Sequence, residues 1–274
     1  MSTPLPTEER YAVLDRAPRR LGATLLRWDV ILLILLVLTV AVNAIVSPYF
    51  LDVYNLADAT SNFSEKAIIA LAMALLILVR DIDLSVAAII ALAAMVIGYA
   101  AEAGFGAPVL FAVGIGVGIL CGVFNGFLVT CVRLPSIVVT IGTMSLFRGL
   151  TQVILGDQAL THYPQGFLNL GQNYFIPFVK TGIRWLFIPP VPLSFLIFLV
   201  LAAIFGIVLH KTAVGRQLFA IGSNPVAARF SGIPVDRLRF ILFVLSGALS
   251  GLGGALLAAR LGSMRSNMAF GWEL

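Results

Sequence analysis

Long apolar runs alternate with short polar segments along most of this chain. A membrane span needs about 20 apolar residues to cross ~30 Å of hydrocarbon. The candidate runs are residues 28–47, 67–79, 86–101, 108–131, 136–155, 191–210 and 240–259. Two of them, 67–79 and 86–101, are short for a span. The pattern predicts an all-α, polytopic transmembrane helical bundle with about seven spans.

The composition agrees with this pattern. The chain has 274 residues, of which 60% are hydrophobic and 11% charged, and its mean hydropathy is +1.02. Those values leave too little polar surface for a soluble globule. Residues 1–27 are predicted to be a cytoplasmic leader and residues 28–274 a transmembrane domain. The first apolar run is too long for an ordinary signal peptide, so we expect a retained anchor.

The basic residues indicate the orientation of the spans. With a cytoplasmic N-terminus, twelve basic residues fall in inner segments and five in outer ones, a positive-inside bias. The inner residues are Arg10, Arg16, Arg19, Arg20, Arg27, Arg80, Arg133, Lys211, Arg216, Arg229, Arg237 and Arg239. The outer residues are Lys66, Lys180, Arg184, Arg260 and Arg265. This topology places the loop 156–190 outside and the loop 211–239 inside. The net charge of +5 therefore indicates orientation, and no nucleic-acid partner is expected.

Small residues form a stripe on two of the predicted spans. Gly114, Gly118, Gly122 and Gly126 recur every four residues, and Gly247 and Gly251 repeat the spacing in the last span. Such faces let helices approach closely, so we expect them to be packing surfaces. Cys121 and Cys131 are expected to be buried free thiols.

A polar break, LILVRDIDLSVAAII, separates the two short runs near the inner face. It contains Arg80, Asp81, Asp83 and Ser85. Interrupted apolar segments are typical of a transport path, because freed backbone groups are tolerated only where protein or water satisfies them. A hydrated cytoplasmic turn is the alternative. Arg148, about twelve residues into its span, either faces the path or extends toward the outer surface.

The inner loop contains a bracketed element, GSNPVAARFSGIPVDRLR, at residues 222–239. Asn224 suits an N-cap, Pro225 suits the first helical position, and Gly232 followed by Pro234 suits a stop. The result is a helix of about two turns, which is marginal alone and needs a surface to pack on.

Catalytic and nucleotide-binding motifs are absent from the sequence. No phosphate-binding loop of the GxxxxGK[ST] type occurs, and neither HExxH nor GxSxG is present. His162 and His210 are isolated, so we predict no metal site and no cofactor. The chain is not expected to be an enzyme.

Five ordered blocks resemble the permease subunits of bacterial ABC importers for ribose, rhamnose and autoinducer-2, within the branched-chain amino acid permease superfamily. The blocks are IDLSV (82–86), GVFNGFLV (122–129), VVTIGTMSLFRGL (138–150), VGRQLFAIGSNPVAARFSGI (214–233) and FVLSGALSGLGGALLAARLGS (243–263). Such permeases usually have about ten spans, so this chain looks shortened. The family often has Gly-Gly where this chain has Arg80-Asp81, and Glu where it has Val226.

The resemblance implies an inner-membrane subunit that forms the path for a monosaccharide such as rhamnose or ribose. It implies cytoplasmic ATP-binding subunits, a periplasmic sugar-binding protein and a second permease, identical or paralogous, within the membrane lipid. By similarity, the inner element is the coupling helix that packs on the ATPase, with Ala227 and Ala228 permitting close approach and Arg229 pairing with an acidic group. The coupling residues are Asn224, Pro225, Val226, Ala227, Ala228, Arg229, Ser231 and Gly232.

As a hypothesis, polar residues of the break and of the matching blocks are assigned to the translocation path. They are Arg80, Asp81, Asp83, Ser85, Asn125, Thr140, Thr143 and Arg148. Alternatives are an autoinducer-2 or other small-solute ABC permease, an ion-coupled secondary transporter, and a structural membrane scaffold. The sequence leaves the solute open, because specificity in such importers resides largely in the binding protein.

Overall fold

The computed structural model describes residues 28–176, 179–180, 187–188 and 190–272. The predicted leader, residues 1–27, lies outside the described residues. The chain divides into two units, one up to Asp52 and one from Val53 onward. Helix α1 (Trp28–Val46) belongs to the first unit; it is mostly apolar, with Asp29 in its first turn, and none of its residues is buried.

The second unit consists mainly of helices. They are α2 (Val53–Leu78), α3 (Val86–Glu102), α4 (Ala107–Thr130), α5 (Ser136–Leu155), α6 (Gln165–Gln172), α7 (Leu193–Lys211), α8 (Ala213–Ser223), α9 (Pro225–Phe230) and α10 (Val235–Leu261). Within the described chain, six helices are long and apolar enough to cross a membrane, namely α1, α2, α4, α5, α7 and α10. The seventh predicted span is α3, which is shorter at 17 residues. The all-α polytopic bundle is confirmed.

The prediction of a short second span is wrong. The apolar run 67–79 is the C-terminal half of α2, a 26-residue helix that begins at Val53. The N-terminal half contains too many polar residues to stand out as an apolar run in the sequence, yet Ser61, Ser64 and Glu65 are buried in the bundle. A helix face that packs on protein, rather than lipid, tolerates polar residues.

Helix α10 lies at the centre of the second unit and contacts α2, α3, α4 and α6. Its closest neighbour is α4, and the glycine stripes lie at their contact. A Cβ added to Gly118 would collide with the carbonyl of Gly247, and one added to Gly114 would come within 3.1 Å of the carbonyl of Gly251. The stripes are therefore packing surfaces, as predicted. Cys121 is buried on this helix, but Cys131 is exposed because it follows the end of α4, which corrects the expectation for that thiol.

The predicted outer loop, residues 156–190, carries local structure. The described part of this loop contains helix α6 and four very short strands, β1 (Tyr174–Ile176), β2 (Val179–Lys180), β3 (Phe187–Ile188) and β4 (Val191–Pro192). They form two antiparallel pairs, β1 with β4 and β2 with β3. The two nested pairs return the chain to α7.

Candidate functional site

The polar break between α2 and α3 begins at a strained arginine. The N–H of Arg80 donates to the carbonyl of Ile77, and that of Asp81 to the carbonyl of Leu76, both at 2.9 Å. These are the two bonds of a Schellman motif, which places its next-to-last residue in the left-handed conformation. Arg80 accordingly has φ of +67°. For a residue with a Cβ this conformation costs roughly 1–2 kcal/mol, which glycine avoids.

The side chain of Arg80 binds the end of another helix. Its Nε donates to the carbonyl of Gly222 at 2.7 Å, and its Nη2 to the carbonyl of Ser223 at 2.8 Å. These carbonyls belong to the last two residues of α8 and have no acceptor role within that helix. A cation at a helix C-terminus is also favoured by the helix dipole. Arg80 thus joins the end of α2 to the end of α8.

Asp81 forms the second link from the break. Its carboxylate accepts two hydrogen bonds from Arg239 of α10, from Nε and Nη2, both at 2.6 Å. The Asp81 side chain is buried, while that of Arg239 is 25% exposed. A bidentate pair of this kind fixes both distance and orientation. The ion pair therefore connects the break to the N-terminal end of α10.

Asp83 leads into a buried polar network. Its Oδ1 accepts from the hydroxyl of Ser85 at 2.6 Å, and its Oδ2 from the hydroxyl of Ser246 at 2.8 Å. Asn125 donates to the Ser85 hydroxyl at 2.8 Å. The Oδ1 of Asn125 has no hydrogen-bond partner among the described residues. The network joins the break to α4 and α10.

Helix α9 has the termini that the sequence predicted. The side chain of Asn224 accepts from the N–H groups of Val226 at 3.0 Å and Ala227 at 3.1 Å, and Pro225 occupies the first turn. At the other end Gly232 has φ of +80° and closes the helix. The cap and the stop of this two-turn helix are confirmed.

The two faces of α9 differ sharply in exposure. Ala228 is 4% exposed and packs against a cluster of buried residues within this chain, whereas Val226 is 63% and Phe230 90% exposed. Arg229 pairs with Asp236 of the same chain at 2.7 Å. The expectation that Ala228 faces a partner is therefore wrong, because that methyl group is already buried against other residues of this chain. The surface open to a partner is the apolar pair Val226 and Phe230.

With this geometry in place, comparison with known proteins identifies the family. Residues 55–274 match the family described as branched-chain amino acid transport system, permease component. The chain belongs to this permease family. It is a multi-pass protein of the bacterial inner membrane. Permease components of ABC importers act with ATP-binding and substrate-binding partners.

Individual relatives are autoinducer 2 import system permease proteins named LsrD. The permease is 32% identical over 241 residues to the protein of Escherichia coli K12, covering 88% of this chain and 71% of the relative. It is 31% identical over 245 residues to that of Enterobacter sp. strain 638, covering 89% and 72%. No solved structure matches this chain.

The remaining predicted path residues lie on α5 of the permease. Thr140 donates to the carbonyl of Ile82 in the break at 3.3 Å, and Thr143 donates to the carbonyl of Thr140 at 3.4 Å; both threonines are buried. Arg148 donates to the carbonyl of Met268 at 2.8 Å. This arginine therefore binds the segment after α10 rather than standing alone in the bilayer.

Sequence reasoning missed a second bidentate ion pair in the permease. Arg260 donates to both carboxylate oxygens of Glu65, at 2.8 and 3.0 Å, and Glu65 is 1% exposed. Arg260 also lines a polar recess of about 170 Å³, together with Asp58, Gln172 and Tyr174. A single sequence does not show which distant residues pair with each other. The one local signal was an acidic residue, Glu65, within a helical pattern.

Proposed function

We propose that this permease is the membrane subunit of an ATP-driven importer and that, with a second identical or paralogous permease, it forms the path for a small polar solute. The solute is autoinducer-2 or a monosaccharide of the rhamnose or ribose type. ATP hydrolysis takes place in separate cytoplasmic subunits, and a periplasmic binding protein delivers the solute.

The exposed face of α9 is the observation that carries this proposal. Phe230 is 90% exposed and Val226 63% exposed, and they are four residues apart on a helix capped at both ends. Residues four apart lie on the same side of a helix. On the predicted topology this side faces the cytoplasm. An apolar pair held outward by Ala228 and its neighbours fits a cleft on an ATP-binding subunit.

The identity of the solute rests on similarity. The relatives at 31–32% identity are named for autoinducer 2 import. Rhamnose and ribose follow from the resemblance of the five sequence blocks alone. We therefore give autoinducer-2 the first place among the candidate solutes.

We also propose that the break lies beside the inner end of the path. Asp83, Ser85, Asn125, Thr140 and Thr143 are buried in this structure. Their burial supports a role in holding the wall of the path together, with Arg80 and Asp81 fastening it to α8 and α10. Arg148 supports the outer half of the same wall through its bond to Met268.

The coupling face is tested by Phe230→Glu. The variant loses the apolar contact of Phe230. Binding of the ATPase would also bury the new carboxylate without a partner, which is unfavourable. We expect the permease to stay in the membrane at normal abundance while copurification of the ATP-binding subunits falls by about tenfold, as for an interface residue worth more than 1 kcal/mol.

Phe175→Glu is the matched control for this variant. Phe175 is 66% exposed on β1, in the loop predicted to be external. The same change of chemistry there should leave ATPase copurification unchanged. Normal copurification by the Phe230→Glu variant would remove the coupling assignment.

The solute is tested by uptake in cells with and without this subunit. Labelled autoinducer-2, ribose and rhamnose are compared, each before and after depletion of ATP. Uptake that needs both the subunit and ATP supports the importer. Uptake by the purified permease alone in vesicles, driven by an ion gradient, would establish the secondary transporter instead.

A further inference from the structure

Among the described residues, three helices end with the same pair of hydrogen bonds at the C-terminus. At α3 the bonds are made by Gly104 and Phe105, at α9 by Gly232 and Ile233, and at α2 by Arg80 and Asp81. The left-handed residue is glycine in the first two, with φ of +88° and +80°, and arginine at α2. A second left-handed arginine, Arg133 with φ of +64°, follows α4 without this pair of bonds. Glycine serves the turn without strain, so the turn itself does not require an arginine, and the contacts of the Arg80 side chain distinguish this position.

The side chain of Arg80 forms hydrogen bonds with the residues directly before the coupling helix. It donates to the carbonyls of Gly222 and Ser223, and the next residue, Asn224, is the N-cap of α9. The backbones also touch here, since a Cβ on Gly222 would collide with the carbonyl of Leu78. The end of α2 and the start of the coupling helix are thus in contact through both side chain and main chain.

The residues that follow α9 are tied to the same break. Arg229 of α9 pairs with Asp236, and Arg239, one turn further along α10, pairs with Asp81. The coupling helix is therefore held on its N-terminal side by Arg80 and on its C-terminal side through α10. Asp83, two residues after Asp81, belongs to the buried polar network. Residues 80–83 therefore connect α9 to the interior of the bundle, in addition to the direct packing of Ala228.

We propose that Arg80 is a positioning residue that links the coupling helix to the permease bundle and carries ATPase-driven movement of α9 into the break. This proposal rests on the proposed function, because it requires that α9 receives a force from an ATP-binding subunit. In this proposal Arg80 acts through its bonds to Gly222 and Ser223 and not on the solute or the nucleotide. Its role is to hold α9 in register with the end of α2.

The first test is Arg80→Gly in the full-length permease with its partners. Glycine keeps the left-handed turn and removes only the guanidinium, so membrane abundance should equal that of the wild type. Copurification of the ATP-binding subunits should also persist, because Val226 and Phe230 remain in place. Solute uptake per ATP hydrolysed should fall about tenfold, in line with the loss of two hydrogen bonds from a charged donor.

A local readout tests the link without any ATPase. Amide hydrogen exchange in residues 224–231 of the purified permease should be faster by about tenfold in the Arg80→Gly variant, since local opening follows the loss of anchoring contacts. Gly222→Ala should reproduce this effect, because its Cβ would push α8 away from the end of α2. Arg237→Ala is the matched control, because Arg237 is an exposed arginine in the first turn of α10. It should leave both exchange and uptake unchanged.

The two proposals fail in different ways. Absence of ATPase binding by the wild type would defeat the proposed function whatever the exchange data show. Unchanged exchange and unchanged coupling in Arg80→Gly would overturn the positioning role while leaving the importer intact. A loss of membrane abundance in Arg80→Gly would also overturn it, because the arginine would then serve folding alone.

Discussion

At the scale of single residues, the break is defined by what each polar side chain binds. Asp83 is 1% exposed and accepts hydrogen bonds from Ser85 and Ser246, which lie 161 residues apart in the sequence. Leaving buried hydrogen-bonding groups without partners is costly. The carboxylate therefore serves the interior of the bundle, and a hydrated cytoplasmic turn does not describe this residue.

Replacing Asp83 with Ala should lower stability as well as transport. The change leaves two buried hydroxyl groups without their acceptor, at a cost of about 1–3 kcal/mol. We expect a lower temperature of thermal aggregation in detergent and a lower membrane abundance, with uptake falling in parallel. Asp83→Asn, which keeps the shape and one acceptor, should be milder.

The control for this change is Asp157→Ala, since Asp157 is an exposed acid in the outer loop. It should stay within ±0.5 kcal/mol of the wild type, as surface substitutions usually do. If Asp83→Ala abolished uptake at full abundance and normal thermal stability, Asp83 would act on the solute directly and not through the network.

At the scale of helices, close contact between α4 and α10 organises the second unit. Gly118 and Gly247 face each other so closely that a Cβ on either one would meet the carbonyl of the other. In a bilayer, packing of this kind replaces the hydrophobic effect as the force between helices. A methyl group at the contact should therefore separate the two helices.

Gly118→Ala tests this packing, with Gly116→Ala as a control two residues away. A Cβ on Gly116 has no neighbour within 4 Å, so the two variants differ only in the face they present. Overpacking typically costs 1–3 kcal/mol, and we expect that loss for Gly118→Ala in thermal stability of the purified permease. Equal stability of the two variants would contradict the helix contact.

The sequence predicted the helices better than their partners. The glycine spacing indicated packing faces on α4 and α10, although it did not show that these two helices pack on each other. Asn224, Pro225 and Gly232 marked both ends of α9, because caps and small-residue stripes are local signals. The N-terminal half of α2 was missed because its polar residues pack on protein. The pairs Asp81–Arg239 and Glu65–Arg260 join residues 158 and 195 positions apart, and no local pattern encodes such a pairing. The sequence likewise could not predict that Val226 and Phe230 are exposed while Ala228 is buried, because tertiary packing decides which face of α9 is covered.

At the scale of the whole second unit, α10 carries a fixed charge pair near each end. Arg239 and Arg260 lie 21 residues apart on this helix, which corresponds to about 31 Å at 1.5 Å per residue. This length equals the ~30 Å of bilayer hydrocarbon. We therefore expect the pairs with Asp81 and Glu65 to lie near the two membrane boundaries, with the apolar middle of α10 between them.

The spacing of the two pairs makes the topology testable. Ser223, whose carbonyl is bound by Arg80, belongs to the end of the bundle marked by Asp81 and Arg239. Gln165 begins α6, which contacts α10 and borders the recess near Arg260 through Gln172. Because inner segments hold most of the basic residues, a reporter inserted near Ser223 should be active only in the cytoplasm and one near Gln165 only outside.

Labelling of single cysteines at these two positions, in a variant without Cys121 and Cys131, gives an independent measurement with a membrane-impermeant reagent. Reaction at Ser223 in intact cells, with protection at Gln165, would reverse the orientation and remove α9 from the side where ATP is hydrolysed.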